Sequence, residues 1–206
     1  MNPDLIYMPI LKWKKGEQEA LNRLTDEQKN KILPIIELVS YDDPDTIINS
    51  IKNCYSNPVY VDTITADEED RDFLVSIIEV GHKNNLKIYP ICYIDDLADL
   101  LIKLPDYTNR LGIKIPIPED IENSYIVLKG ERDQITRKLT KNYTTLAKDI
   151  YESDYYYGEN FSYGDLEIKE RALGLNKKGP GSNTNWVTIS ANHHIAAVIE
   201  QLSKLV

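Results

Sequence analysis

Four acids in this chain stand where strands would end: Glu37 closes the apolar run 32–36, Asp62 ends PVYVDT, and Asp95 with Asp96 follows LKIYPICYI. If those strands run parallel, their C-terminal ends share one edge of the sheet, the place where α/β folds carry their chemistry. Lys129 and Glu131, after SYIVLKG, would join them. Carboxylates gathered on one rim can hold Mg²⁺ or Ca²⁺ or serve as acid and base, with a lysine set on a phosphate. Asp at a strand-to-helix turn also caps the helix that follows, and this is the commoner role for Asp95 and Asp96. No helix start lies directly behind Glu37, so capping does not account for it.

A second set of candidates is cationic. Lys12, Lys14 and Lys15 with Gly16 make a basic turn able to hold a phosphate or a partner's carboxylate, although short charge runs usually face water. Trp13 between two of these lysines either packs back or meets a partner. The loop GLNKKGPGSNTN, residues 174–185, adds Lys177 and Lys178. Gly174 and Gly179 have phosphate-loop spacing, but Pro180 and Gly181 stand where Lys and Ser or Thr are required, so that motif fails. Its length suits a lid or a long crossing.

The third set is aromatic. The chain has 14 Tyr against 2 Phe, and Tyr151, Tyr155, Tyr156, Tyr157 and Tyr163 crowd together. Tyr155, Tyr156 and Tyr157 in particular offer rigid, amphipathic area for a partner protein, and a helix end laid over the core with its phenol oxygens in water explains the cluster equally well. Glu152, Asp154 and Glu159 are interleaved with them, which disfavours a nucleic acid. Adjacent His193 and His194 on a helix point about 100° apart and do not chelate one metal as an i, i+4 pair does. No zinc, Ser-His-Asp, Cys-His or HExxH pattern is present, and no motif names a cofactor.

Composition narrows the class. A chain of 206 residues is one domain by length and can bury a core without staples. With 24 Lys+Arg against 33 Asp+Glu, its net charge of -9 opposes generic attraction to nucleic acid or an anionic membrane. Cys54 and Cys92 fit buried thiols of a reducing compartment. Asp4 and Lys12 bracket too short an apolar run for a signal peptide, and no segment approaches spanning length, so the expected location is the cytoplasm.

The elements that must position these groups read as strand–helix units. ILPIIELV, PVYVDT and LKIYPICYI recur at roughly 27 residues and are continuously apolar, as parallel strands buried on both faces should be. Thr25 and Gln28 have capping-box spacing, Asp43 and Pro44 open a helix through Ile47, Ile48 and Ile51, and Phe73, Leu74, Ile77 and Ile78 form a helical stripe that stops near Gly81 and Asn85. DDLADLLIKL is a further helix ended by Pro105. GIKIPIP and SYIVLKG read as strands, a long helix follows from Glu131, WVTIS reads as a last strand, and Ile195 to Leu205 as a closing helix. Six or seven strands with a mostly parallel sheet imply a reduced or incomplete (β/α) barrel, with an open doubly wound sheet as the alternative.

Tyr7, Pro9, Leu11, Lys12, Lys14, Gly16, Glu17, Ala20, Leu21, Leu24, Lys31, Ile32, Pro34, Ile36, Glu37 and Leu38 together resemble the opening signature of the phage-type Beta protein family. FSYGDLEI, residues 161–168, is similar to that family's late Gly-Asp strand motif. The resemblance implies a TIM-barrel-like fold and a setting of phage and host conflict or bacterial defence, without naming a substrate. Three functions follow: binding a protein partner from such a system, metal-assisted hydrolysis or nuclease action on the rim, and binding a nucleotide or other phosphate-bearing small ligand through Lys12, Lys14, Lys177 and Lys178.

Overall fold

A computed structural model describes residues 5–63, 68–107, 110–114, 143–176 and 181–205. Its strands are β1 (Ile10–Lys12), β2 (Ile35–Leu38), β3 (Val59–Thr63), β4 (Ile88–Tyr93) and β5 (Gly112–Lys114). They form one sheet in the order β1-β2-β3-β4-β5, every neighbouring pair parallel. A doubly wound sheet reverses its strand order at a switch point. Here the order never reverses, so successive right-handed crossovers lay their helices on one face, the singly wound arrangement of a (β/α) barrel.

Local signals place the first helices. α1 (Lys15–Asn22) follows β1, and α2 (Asp26–Asn30) opens on a complete capping box between Thr25 and Gln28. α3 (Pro44–Cys54) has Pro in its first turn, and Asp43 Oδ2 accepts the Thr46 backbone N–H at 3.1 Å. α4 (Glu68–Lys83) stops at Asn85, which takes the left-handed φ of 57°. α5 (Leu97–Lys103) ends before Pro105.

One face of the sheet is fully covered. Leu11, Ile36, Leu38, Val59, Val61, Ile88 and Cys92 pack in one cluster with Ile48 and Ile51 of α3 and Leu74, Ile77 and Ile78 of α4. Each such side chain contributes about 1.5–3 kcal/mol when removed from water. The alternate positions point to the other face, and there Ile10 is 56% exposed and Ile35, Glu37, Tyr60 and Tyr89 are half-buried.

The C-terminal third departs from the sequence reading. WVTIS is not a strand: it lies within α8 (Asn183–Ser203), a single helix of 21 residues. A capping box between Ser182 and Asn185 starts this helix, and Trp186, Ile189 and Asn192 then bury one face at helical spacing. FSYGDLEI is also helical. Ser162 caps α7 (Tyr163–Ala172), its hydroxyl accepting the Asp165 backbone N–H at 3.1 Å. Of the long helix expected from Glu131, residues 131–142 lie outside the described residues and the part that follows is α6 (Tyr143–Tyr151). Five strands are described, fewer than the six or seven expected; SYIVLKG and the end of GIKIPIP lie outside the described residues.

Helix α8 docks on α1, as the last helix of a barrel lies beside the first. Thr188 Oγ1 sits 3.0 Å from the Gly16 carbonyl oxygen, and Asn192 Nδ2 donates to the Ala20 carbonyl at 3.1 Å. A Cβ at Gly16 would meet Val187 Cγ1 at 2.7 Å, so this glycine permits the close approach. A smaller core of Ala147, Ile168, Ala172, Trp186 and Ile189 joins α6, α7 and α8.

Candidate functional site

Register brings part of the proposed rim together. Lys12 pairs with Glu37 and Glu37 with Asp62 across β1, β2 and β3. Residues paired in this way project from the same side of the sheet, on strands about 4.8 Å apart. Lys12 is exposed, Glu37 half-buried and Asp62 only 4% exposed. The row thus runs from a solvated cation to a nearly buried carboxylate.

Asp95 does not join this row. It lies beyond the end of β4, exposed, in a one-turn 3₁₀ segment spanning Ile94–Asp96. Asp96 occupies the N-cap position of α5 but makes no capping hydrogen bond; its buried carboxylate instead pairs with the Arg71 guanidinium. At Asp96 the expected capping gives way to this charge pair, the stronger contact for a carboxylate withdrawn from water, while Asp95 stays exposed within the 3₁₀ turn and caps no helix. Asp62, Arg71 and Asp96 border a void of about 10 Å³, room for no more than a water. Among the described residues no three His, Cys, Asp or Glu side chains come within reach of one metal ion. Lys129 and Glu131 lie outside the described residues, as do Lys177 and Lys178.

The cationic turn divides. Lys12 and Lys14 are exposed, while Trp13 packs back into the core at 7% exposure with its Nε1–H donated to Ser50 Oγ at 2.8 Å. The exposed-indole alternative therefore does not hold for Trp13.

Of the tyrosines proposed to meet a partner, Tyr155 is 74% and Tyr157 is 44% exposed, whereas Tyr156 packs its ring against Tyr151 at 4.8 Å. This stretch links α6 to α7 and is anchored from below by Asp165. Asp165 is completely buried and accepts from the Tyr157 backbone N–H at 3.0 Å, from the Ser162 hydroxyl and from His193 Nδ1 at 2.9 Å. Burial alone would push its carboxyl up, but the hydrogen bonds from His193, Ser162 and Tyr157 outweigh that and hold it below the usual aspartate value. An ionised carboxylate only accepts, so the imidazole proton in this contact is on Nδ1. Nε2 has no hydrogen-bond partner among the described residues. The Tyr157 and Phe161 rings flank the imidazole at 5.4 and 6.1 Å.

Sequence reasoning missed this Asp165–His193 pair because 28 residues separate its members. Two local signals pointed toward it: the Ser162-x-x-Asp165 cap spacing, and Gly164, which lets α7 touch α8. The Gly164 N–H donates to buried Asn192 Oδ1 at 3.0 Å, so Gly164, Asp165, Asn192 and His193 form one polar joint between two helices.

A parallel sheet of sequential strand order, with a last helix returned to the first and a row of one lysine and two acids across three strand ends, defines an α/β protein of barrel-like winding. Residues 7–104 and 102–200 match the model of the Beta protein family, and the chain belongs to that family. No curated protein and no solved structure matches it. No described helix is long and apolar enough to cross a membrane.

Proposed function

We propose that this protein acts by binding a protein partner, in a setting of phage and host conflict, through the aromatic ledge between α6 and α7. The observation that supports it most is the pairing of exposed rings with a fixed backbone. Tyr155 and Tyr157 project into water, while the Tyr155 N–H is held by Ser153 Oγ at 3.2 Å and the Tyr157 N–H by buried Asp165. Rigid aromatic side chains lose little conformational freedom on binding, and such residues dominate interface energetics. Glu152 and Asp154 are exposed beside them and favour a partner with basic groups opposite. The conflict setting rests on the family resemblance.

The test is co-purification from phage-infected cells, followed by binding of the isolated partner to purified protein. Tyr155→Ala should weaken that binding at least tenfold while leaving the melting temperature unchanged. Binding as tight as wild type by both the Tyr155→Ala and the Tyr157→Ala proteins would remove the ledge from the interface.

The Glu37–Asp62 register favours a second reading, metal-assisted hydrolysis at the sheet's C-terminal edge. It requires stabilisation against heat by Mg²⁺ or Mn²⁺ that disappears in Glu37→Ala and Asp62→Ala.

A further inference from the structure

A cavity of about 210 Å³ opens at the C-terminal ends of β1 and β2, between α1 and α3. In α/β proteins that edge is where ligands enter, because the loops leaving the strands diverge there. Its floor is apolar and well buried: Trp13, Leu38 and Ile47 are 7%, 2% and 4% exposed. The Trp13 ring is locked in place by its hydrogen bond to Ser50, whose hydroxyl in turn donates to the Ile47 carbonyl at 2.7 Å. The wall is therefore preformed.

The mouth has a different character. Ser40, Asp42 and Thr46 are exposed there, and Gln18 of α1 closes one side. Ser40 Oγ donates to Asp42 Oδ2 at 2.8 Å, which leaves Oδ1 of that carboxylate open. Asp42 pairs with no cation among the described residues, and the Gln18 amide makes no hydrogen bond to them. Neither Lys12 nor Lys14 lines the cavity. An anionic lip over an aromatic and aliphatic floor disfavours a phosphate and suits the opposite charge.

We infer that this cavity binds a small primary amine carrying one apolar ring, with the ring between Trp13 and Ile47 and the ammonium on Asp42. A volume of about 210 Å³ holds a single ring with a short tail. The ammonium, at the wet lip, keeps part of its hydration while the ring leaves water, so the charge selects the ligand and the floor supplies affinity. The site is independent of the ledge between α6 and α7, and either can fail without the other.

Phenethylamine and 3-phenylpropionate have similar shape and opposite charge, and serve as the probes. In ¹H–¹⁵N NMR spectra of the intact chain, phenethylamine should shift the Trp13 indole N–H and the Gln18 side-chain amide saturably, with the anion at least tenfold weaker. Asp42→Asn should abolish that preference, and Gln18→Trp, placing an indole across the mouth, should abolish binding. Asp42 is exposed, so Asp42→Asn reads out even if Gln18→Trp does not fold. No saturable shift with either probe, equal binding of amine and anion, or an amine preference that survives Asp42→Asn would overturn the inference.

Discussion

Asp165 and His193 lie on different helices, yet Nδ1 of the imidazole sits 2.9 Å from Oδ2 of a carboxylate with no exposed surface. The same carboxylate holds the Tyr157 backbone, so one buried charge sets both the α7–α8 joint and the ledge proposed to meet a partner.

Removing that charge should loosen both. Asp165→Ala leaves three donors without their acceptor and should cost about 3 kcal/mol, within the range for breaking a buried pair. Urea unfolding reads the cost, and exchange of the Tyr157 amide hydrogen should speed up in parallel. A loss under about 1 kcal/mol would mean that water replaces the carboxylate.

The depressed carboxyl of Asp165 also predicts a pH dependence. Its folded pKa lies below the ordinary 3.8, so the native state binds fewer protons in the window between the two values. The stabilisation is complete above the unfolded value and is lost as pH falls through the folded one. Subtracting the Asp165→Asn profile from wild type should isolate a stability difference that shrinks below about pH 4. A flat difference down to pH 2 contradicts this assignment.

Two glycines make separable predictions at the docked helices. Gly16→Ala pushes a methyl against the Val187 side chain at 2.7 Å and should destabilise by about 1–3 kcal/mol, with Val187→Ala recovering part of the loss in a double-mutant cycle. Gly164→Ala meets the Ile189 carbonyl oxygen at 2.5 Å, a backbone atom, so trimming Ile189 should recover nothing.

The exposed tyrosines should separate stability from binding. Tyr155→Ala is expected to change unfolding free energy by less than about 0.5 kcal/mol, as surface substitutions do. Tyr157→Ala should cost about 1 kcal/mol, because its ring packs edge-on against Phe161 at 4.9 Å and beside His193. Thermal melts of the two variants check the difference.

Both thiols are raised, chiefly by burial, Cys92 to about 11. Thiolate is therefore scarce at neutral pH. A thiol reagent at pH 8 should label Cys92 at the rate of opening of the sheet core, with the faster labelling at half-buried Cys54. Immediate labelling of Cys92 in the folded protein would be incompatible with its packing.

The first half of the fold was legible because its signals are local. Asp43–Pro44, Thr25–Gln28 and the apolar runs around Ile35, Val61 and Tyr89 each act within a few residues, and the structure keeps all of them. The second half was harder because short β-branched runs do not distinguish a strand from a buried helical turn. WVTIS is such a run and reads as a strand, while the cap that decides it, Ser182 with Asn185, sits within the glycine-rich stretch 174–185 that reads as loop.

By itself, the sequence determined the strand–helix rhythm, the helix starts at Thr25 and Asp43 and the acids near strand ends, because each follows from spacing along the chain. Tertiary structure alone decided which acids stand together. Parallel register sets Glu37 beside Asp62, the step past β4 carries Asp95 away, and the docking of α7 on α8 brings Asp165 to His193. Such pairings depend on how elements pack in three dimensions, and no local residue preference encodes a distance across 28 positions.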